Sequence, residues 1–225
     1  MITYGFTGRA EGDMRAHKAV LDLLTNKYPR LSLVVRPRQV HQDNIEIVQS
    51  VTKDERLLSI GGTDGVITAQ KNVALTIITA DCVPVVYYDE QRGIIGASHQ
   101  GWRGLIARLP QKMVARLQSL GCKVDDVKVA IGPSINACCY QIHQDRAITV
   151  RSEFPKTQAI IDKGAHFFLN LQQLCFEQFI ESGILKQNIA HKINCTSCKT
   201  DRYFSYRRSK NKESFEHQLS YIVQW

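Results

Sequence analysis

The stretch "NVALTIITADCVPVVYYDEQRGIIGASH", residues 72–99, constrains the fold more than any other part of this chain. It predicts three strands in close succession, Ala74 to Thr79, Val83 to Tyr88 and Ile94 to Ser98. Short, almost wholly apolar strands are typical of a sheet that is buried on both faces. The polar turn from Asp89 to Gly93 is too short for a crossover helix, so parallel and antiparallel pairing must be mixed.

Helical periodicity flanks these strands. Apolar residues recur at helical spacing in residues 13–29, in residues 105–120 and in "LNLQQLCFEQFIESG", and Pro110 either kinks the second helix or begins a new one. Further strands are predicted at Leu31 to Val35, Ile45 to Val48, "VKVAIGPS", "RYFSYRR" and "QLSYIVQW". The pattern predicts an α/β fold with a mixed sheet flanked by helices, and no linker divides residues 1–225, so a single domain is expected.

Composition narrows the possible environment and partners. The chain has seven cysteines and begins without an apolar export segment, so we expect a cytoplasmic protein without a disulfide framework. No apolar run approaches the roughly 18 residues of a membrane span, so no membrane association is expected. The net charge of +8 is concentrated in "CKTDRYFSYRRSKNKE". That stretch fits a solvated surface, nucleic acid or a small anionic substrate; no nucleic-acid fold signature accompanies it, so no nucleic-acid partner is expected.

Three residues suited to metal or nucleophilic chemistry lie where predicted strands end. His41 sits in a strand break, Cys82 follows a strand, and His99 ends another strand. Sites of α/β proteins gather at strand ends. Two imidazoles and a thiolate would leave one position open on a tetrahedral zinc ion, as in catalytic sites. Equally, Cys82 could be a nucleophile that a histidine activates. The spacing of the three matches no short metal motif.

Other residues offer weaker signals. "GWRGL" places Arg103 and Gly104 near a helix start, a candidate anion site, and Arg207 of "YRR" adds a second cation. Asp81, beside Cys82, is a candidate proton carrier or a structural turn carboxylate. "GGTDG" is interpreted as a plain glycine turn. "CTSC" is a lone C-x-x-C, a weak metal or redox signal for which packing is the preferred interpretation, and the adjacent thiols of "CCY" would diverge on a strand.

Five ordered motifs carry a resemblance to a known family. "RQVHQDNI", "TADCVPVVYYD", "GASHQGWRGL", "AIGPSINACCYQI" and "YFSYRR" resemble the YfiH or laccase-domain (polyphenol oxidase) family along nearly the whole chain. The resemblance implies a fold like that of cytotoxic-necrotizing-factor-like cysteine hydrolases, and metal ligands at His41, Cys82 and His99. It further implies a zinc-dependent purine nucleoside phosphorylase, acting with phosphate on adenosine, inosine, guanosine and methylthioadenosine, that also deaminates adenosine.

The resemblance leaves alternatives open. Older naming in the family implies a copper-dependent phenol oxidase, and another assignment is a hydrolase that edits a cell-wall precursor nucleotide. A non-enzymatic protein that uses its basic C-terminal region is a further alternative. Two departures from the family pattern stand out: Gln42 replaces the usual Gly, and Glu216-His217 replaces the usual Gly-Arg, which removes an arginine expected to handle anions. Neither departure alters His41, Cys82 or His99. The oligomeric state stays open.

Overall fold

The computed structural model describes residues 1–49, 56–191 and 193–225. Within these ranges two large sheets and one small sheet are built from 14 strands. The strands are β1 Ile2–Phe6, β2 Leu33–Arg38, β3 Ile45–Val48, β4 Leu57–Gly61, β5 Gly65–Thr68, β6 Val73–Thr79, β7 Val83–Asp89, β8 Ile94–Gln100, β9 Lys128–Ile131, β10 Gln141–Ile142, β11 Ile160–Lys163, β12 His166–Leu169, β13 Ile189–His191 and β14 Gln218–Gln224. The α-helices are α1 His17–Lys27, α2 Trp102–Ile106, α3 Leu109–Ser119, α4 Gln144–Glu153 and α5 Leu171–Glu181.

The two large sheets pack face to face. One has the strand order β1-β14-β6-β2-β4 and the other β13-β9-β7-β8-β5-β3, while β10-β12-β11 form the small sheet. Between the large sheets lies an apolar layer to which both contribute, with Leu75 and Ile222 from the first and Val86 and Ile95 from the second. Helix α1 covers the outer face of the first sheet, and α2, α3 and α5 cover that of the second. The α/β class with mixed sheets flanked by helices is therefore confirmed.

The arrangement explains why the strands are apolar on both sides. A strand such as β6 is covered by a helix on one face and by the opposite sheet on the other, so nearly every side chain in it is buried. The strands expected in one sheet are divided between two, because each sheet uses the other as a cover. The expected likeness to the cysteine hydrolase fold is not confirmed, and the single-domain organisation of residues 1–225 stays a prediction.

Most predicted elements occur, with one clear exception. The predicted helix in 105–120 is divided into α2 and α3, and Pro110 lies in the first turn of the second. The strand predicted for "RYFSYRR" is wrong: residues 203–208 form turns and irregular backbone. In this segment backbone N–H groups bond to side-chain oxygens and not to a neighbouring strand: Phe204 N–H donates to Gln218, and Arg207 N–H donates to Asp81.

Pro37 lies inside β2. Pairing of β2 with β6 ends at Val35, and Pro37 pairs with β4 alone. A proline is tolerated there because the strand has a hydrogen-bonded neighbour on one side only, and no backbone N–H is required on the other side. Among the described residues, no helix is long and apolar enough to span a membrane.

Replacing Leu75, which is fully buried between the sheets, tests the packing. Leu75→Ala should lower the free energy of unfolding by about 2–5 kcal/mol, because the lost methyl groups leave a cavity that the sheets cannot close. Leu185→Ala, at a residue that is 39% exposed, is the control and should change it by about 0.5 kcal/mol or less. Urea denaturation followed by circular dichroism measures both; equal losses would contradict the face-to-face packing.

Candidate metal centre and its cavity

Three crossings between the two large sheets lie side by side and carry the predicted site. Strands β2, β4 and β6 run parallel in the first sheet, so all three end at the same edge. Each then passes to β3, β5 or β7 of the second sheet, through residues 39–44, 62–64 and 80–82. His41, Gly62 and Asp81 have φ of 61°, 66° and 99°, and the chain bends or turns at them. His99 arrives at this edge on β8, which runs antiparallel to β5 and β7.

The crossings bring His41, Cys82 and His99 together. One ligand atom from each lies within 4.8 Å of the others. The two imidazole rings stand edge to face, with 4.6 Å between their centroids. His99 is buried, Cys82 is partly buried and His41 is exposed, so the group opens to solvent on the His41 side. Two imidazoles and one thiolate held this closely fit a divalent metal with one open position.

A buried carboxylate, Asp64, fixes the two histidines. Its Oδ1 lies 2.8 Å from His99 Nδ1 and accepts the His41 backbone N–H, while Oδ2 accepts the N–H groups of Val40 and Gln42. With Nδ1 engaged by Asp64, His99 is left with Nε2 for a ligand. Although burial acts to raise it, the hydrogen bonds and charge of His99 and the backbone donors lower the pKa of Asp64.

Cys82 and His99 shift each other's ionisation in opposite directions. Burial alone would raise the pKa of Cys82, but the charge of His99 and hydrogen bonds with both histidines lower it to about 6. Burial alone would lower the pKa of His99, but the Cys82 thiolate and Asp64 raise it to about 9. Without a metal, the pair at neutral pH is therefore a thiolate beside an imidazolium.

Two glycines permit this close approach. A Cβ at Gly101 would lie 3.1 Å from His41 Cδ2 and 3.6 Å from Cys82 Sγ. A Cβ at Gly104 would lie 3.0 Å from the carbonyl oxygen of Gln42. The "GWRG" motif thus lets α2 press against the His41 crossing, and its glycines serve packing.

Asp81 ties the C-terminal segment to the crossing that carries Cys82. Its carboxylate accepts hydrogen bonds from Thr196 Oγ1 at 2.6 Å, Ser205 Oγ at 3.0 Å and the Arg207 N–H at 2.6 Å. A carboxylate with three donors is held in place. This geometry favours the structural role over that of a proton carrier.

A cavity of about 780 Å³ opens above the donor group. His41, Cys82, His99 and Asp81 line its floor. Its walls combine guanidinium groups with aromatic rings, namely Arg36, Arg38, Arg103, Arg146, Arg207, Trp102, Tyr140, Tyr206 and Phe215. Of the described residues that line the cavity, only Asp81 has a carboxylate, so the positive charge of the walls is largely uncompensated.

Comparison with known proteins identifies the family. A family model described as multi-copper polyphenol oxidoreductase laccase matches residues 11–223. The chain belongs to this laccase family. Its relatives include "Adenosine deaminase RL5" from an unknown prokaryotic organism, 28% identical over 78% of this chain and 70% of that protein. "Purine nucleoside phosphorylase YlmD" of Bacillus subtilis is 30% identical over 73% of this chain and 63% of its own length.

The share of each relative that the chain covers varies. It covers 35% of mouse "Purine nucleoside phosphorylase LACC1", at 31% identity over 64% of this chain. Among solved structures, the Bacillus licheniformis "hypothetical protein YfiH" matches with a TM-score of 0.85 and 26% identity, covering 100% of this chain and 93% of that one. The laccase-family fold is thus confirmed along the whole chain, and the resemblance stated from the motifs is confirmed with it.

Of the three predicted substrate-binding residues, Arg103 and Arg207 line the cavity and Gly104 does not. Arg103 lines the cavity and stacks on Trp102, with Cζ 4.7 Å from the ring centroid. Arg207 also lines it, while donating to the carbonyl oxygens of Cys139 and Gln141. Gly104 does not fit its predicted role. It is buried within the five-residue helix α2, against the Gln42 backbone, and lies outside the described lining.

Sequence reasoning missed several residues of this laccase-family site. The "GGTDG" motif predicts a plain glycine turn, but the carboxylate of its Asp64 binds His99. The one signal for this role was an acidic side chain within a glycine-rich loop, since ligating histidines commonly bond to a carboxylate. Arg36 and Arg38 flank Pro37 ahead of His41, and Arg146 lies on α4, which was not predicted. His217, where the resemblance implies an arginine, lines the cavity too. The arginines of the cavity walls supply positive charge in the same cavity.

The pH dependence of Cys82 alkylation tests the thiolate–imidazolium pair. In metal-free protein, the rate of iodoacetamide modification at Cys82 should rise through a midpoint near pH 6, because the thiolate is the reactive form. His99→Gln should move the midpoint up toward the ordinary thiol value of about 8.5, since the neighbouring positive charge is lost. Peptide mass spectrometry separates Cys82 from the other thiols.

Cys175 is the internal control, because it is fully buried and should stay unmodified in folded protein. A Cys82 midpoint near 8.5 in the unsubstituted protein would contradict the pairing.

Proposed function

We propose that this laccase-family protein is a zinc-dependent purine nucleoside phosphorylase that also deaminates adenosine. The observation that carries the proposal is the His41, Cys82 and His99 donor group at the floor of a cavity with cationic and aromatic walls. The names of the relatives support both activities, since they include purine nucleoside phosphorylases and an adenosine deaminase. At about 30% identity, the substrates adenosine, inosine, guanosine and methylthioadenosine remain part of the proposal.

The cavity suits both substrates of phosphorolysis, the nucleoside and the phosphate. Its volume of about 780 Å³ falls in the range of small-molecule sites. Rings such as Trp102 and Tyr140 offer faces for a purine to stack on. Guanidinium groups such as Arg103 and Arg38 offer forked donors for phosphate oxygens. A nucleoside and a phosphate can thus bind beside each other.

In phosphorolysis a phosphate oxygen bonds to the ribose anomeric carbon, and the bond from that carbon to the purine nitrogen breaks, its electron pair leaving with the base. Arginines hold the anion in line and screen its charge from the ribose. In deamination, water adds to C6 of adenine and ammonia leaves. A bound zinc ion would supply Lewis-acid polarisation and acidify water at neutral pH. Asp64 keeps His99 oriented for that ion.

The His41, Cys82 and His99 group suits one zinc ion better than the several copper ions of a multi-copper oxidase. One thiolate with two imidazoles is also a copper donor set. Oxygen reduction by several coppers needs further imidazoles, and in the described part of the chain the two residue groups that could hold a metal contain just two histidines. A phenol oxidase is therefore the weaker alternative, and oxygen uptake that scales with bound copper would favour it.

One observation favours a second candidate. Cys82, His99 and Asp64 stand in the order of a nucleophile, a base and an orienting carboxylate, with the thiol pKa lowered. A hydrolase that uses Cys82 against a cell-wall precursor nucleotide would look similar. Such an enzyme would work after metal removal and be inactivated by alkylation, whereas the proposed phosphorylase would lose activity with its metal.

Replacing the thiol ligand tests the primary proposal. Zinc-loaded protein with inosine and phosphate should release hypoxanthine, and Cys82→Ala should reduce kcat/KM at least about 100-fold, because a thiolate ligand is lost. Chromatography of the released base, together with the zinc content, measures the effect. Cys122→Ser, at a buried thiol beside Asp89, which lies at the other end of β7 from Cys82, should keep activity. Equal base release by Cys82→Ala and unsubstituted protein would refute the proposal.

The arginine wall makes a separate prediction about phosphate. Arg103→Gln should raise the KM for phosphate about tenfold, because a charge-assisted hydrogen bond is lost, and should leave the zinc content unchanged. Arg116→Gln is the matched control: it is an exposed arginine on α3 outside the described lining, so its KM should not change. Steady-state kinetics at varied phosphate decides, and an identical KM in both variants would contradict the role of Arg103.

A further inference from the structure

Four cysteine thiols that are far apart in the sequence meet at the protein surface. Suitable atoms of Cys138, Cys139, Cys195 and Cys198 all lie within 4.8 Å of one another. Cys198 Sγ is 3.3 Å from Cys138 Sγ and 3.2 Å from Cys139 Sγ. All four are free thiols, and together they are called the four-cysteine cluster below.

We propose that the four-cysteine cluster is a structural zinc site, which shares no residue with the His41, Cys82 and His99 group. Around a tetrahedral zinc with Zn–S bonds of about 2.3 Å, sulfur atoms stand about 3.8 Å apart. The separations here, from 3.2 Å to at most 4.8 Å, bracket that value. A disulfide would use two thiols and leave two, whereas a four-thiolate ion uses all of them.

The backbone at Cys138 and Cys139 turns both thiols toward one centre. The N–H groups of Cys139 and Tyr140 both donate to the Asn136 carbonyl, at 2.9 Å, so residues 137–139 form a tight turn. The prediction that these adjacent side chains diverge assumed a strand and was wrong. In a turn, neighbouring side chains can serve one metal.

The C-x-x-C segment meets this turn through backbone pairing. Ser134 and Cys195 form a parallel bridge, and Thr196 N–H donates to the Ser134 carbonyl. Lys199 N–H donates to the Cys195 carbonyl, which closes a turn that places Cys198 beside Cys195. The Asn136 N–H points at Cys195 Sγ, with N and S 3.5 Å apart. A backbone N–H that donates to sulfur stabilises the thiolate form, and cysteine binds zinc in that form.

Charge around the four-cysteine cluster complements an anionic metal site. Four thiolates and one Zn²⁺ carry a net charge of −2. The guanidinium of Arg207 donates to the Cys139 carbonyl, and that of Arg208 donates to the carbonyls of Thr196 and Ser197. Two positive groups are therefore fixed to the turns that bear the ligands, and they offset the charge.

An ion here would join two segments of one cavity wall. The turn at 137–139 precedes Tyr140. The C-x-x-C segment is bonded to Asp81 through Thr196, and its Thr196 and Ser197 carbonyls accept hydrogen bonds from Arg208 of the 203–208 segment. Tyr140 and Arg207 both line the cavity, with Arg207 Cζ 5.2 Å from the Tyr140 ring centroid. We infer that the zinc stabilises this wall by cross-linking loops that lack a common sheet.

Metal counting tests the site on the 225-residue chain, purified under reducing conditions and loaded with zinc. The unsubstituted protein should hold one ion for each of the two ligand groups, and Cys198→Ser and His41→Ala should each lose one. Cys122→Ser, at a thiol outside both groups, should lose none. Elemental analysis after gel filtration gives the stoichiometry. A single ion that disappears in His41→Ala would overturn the proposal.

A second measurement protects the test if Cys198→Ser fails to fold. X-ray absorption on zinc-loaded His41→Ala, which keeps the four-cysteine cluster intact, should show four sulfur ligands at about 2.3 Å. A chelator should lower the melting temperature of this variant, because ligand binding stabilises the folded state. Fewer than four sulfur ligands, bound sulfide with iron, or an intact mass that shows disulfides in place of bound metal would each refute a structural zinc site.

Discussion

The carboxylate of Asp64 is the interaction on which the site depends. It takes three backbone N–H groups from residues 40–42 and binds His99, so one buried charge fixes both histidines. A buried carboxylate is costly unless it is fully paired, and here every partner belongs to the site. The left-handed conformation of His41 persists because those N–H groups must converge on one side chain.

Asp81 plays the corresponding part for the cavity wall. It lies in the next crossing, and its donors come from residues 196–207, far along the chain. The two carboxylates therefore have different roles. Asp64 orients the two histidines of the donor group, and Asp81 holds the segment that bears Arg207. Both act from crossings, where the chain leaves one sheet for the other and backbone groups are free of ladder bonds.

The proposed four-cysteine zinc site would complete this wall. The segments 134–140 and 195–208 contribute no residue to the 14 strands and share one isolated bridge, so side-chain bonds to Asp81 and a shared metal would replace ladder pairing. A reactive ion at the cavity floor and a structural ion at its side would then have distinct ligand chemistry. The open donor group mixes imidazole with thiolate, whereas the four-cysteine cluster is thiolate alone.

Sequence by itself determined the strands from Val73 to Gln100, the main helices and the polar residues at their ends, because local periodicity and β-propensity act within a few residues. It also indicated His41, Cys82 and His99 through their positions at strand ends. Only the tertiary structure decided that the strands form two sheets, that Asp64 binds both histidines, and that Cys138 and Cys139 face Cys198. These side-chain contacts join residues 23 to 60 positions apart. Which distant segments meet depends on how the sheets pack, and no local pattern records that.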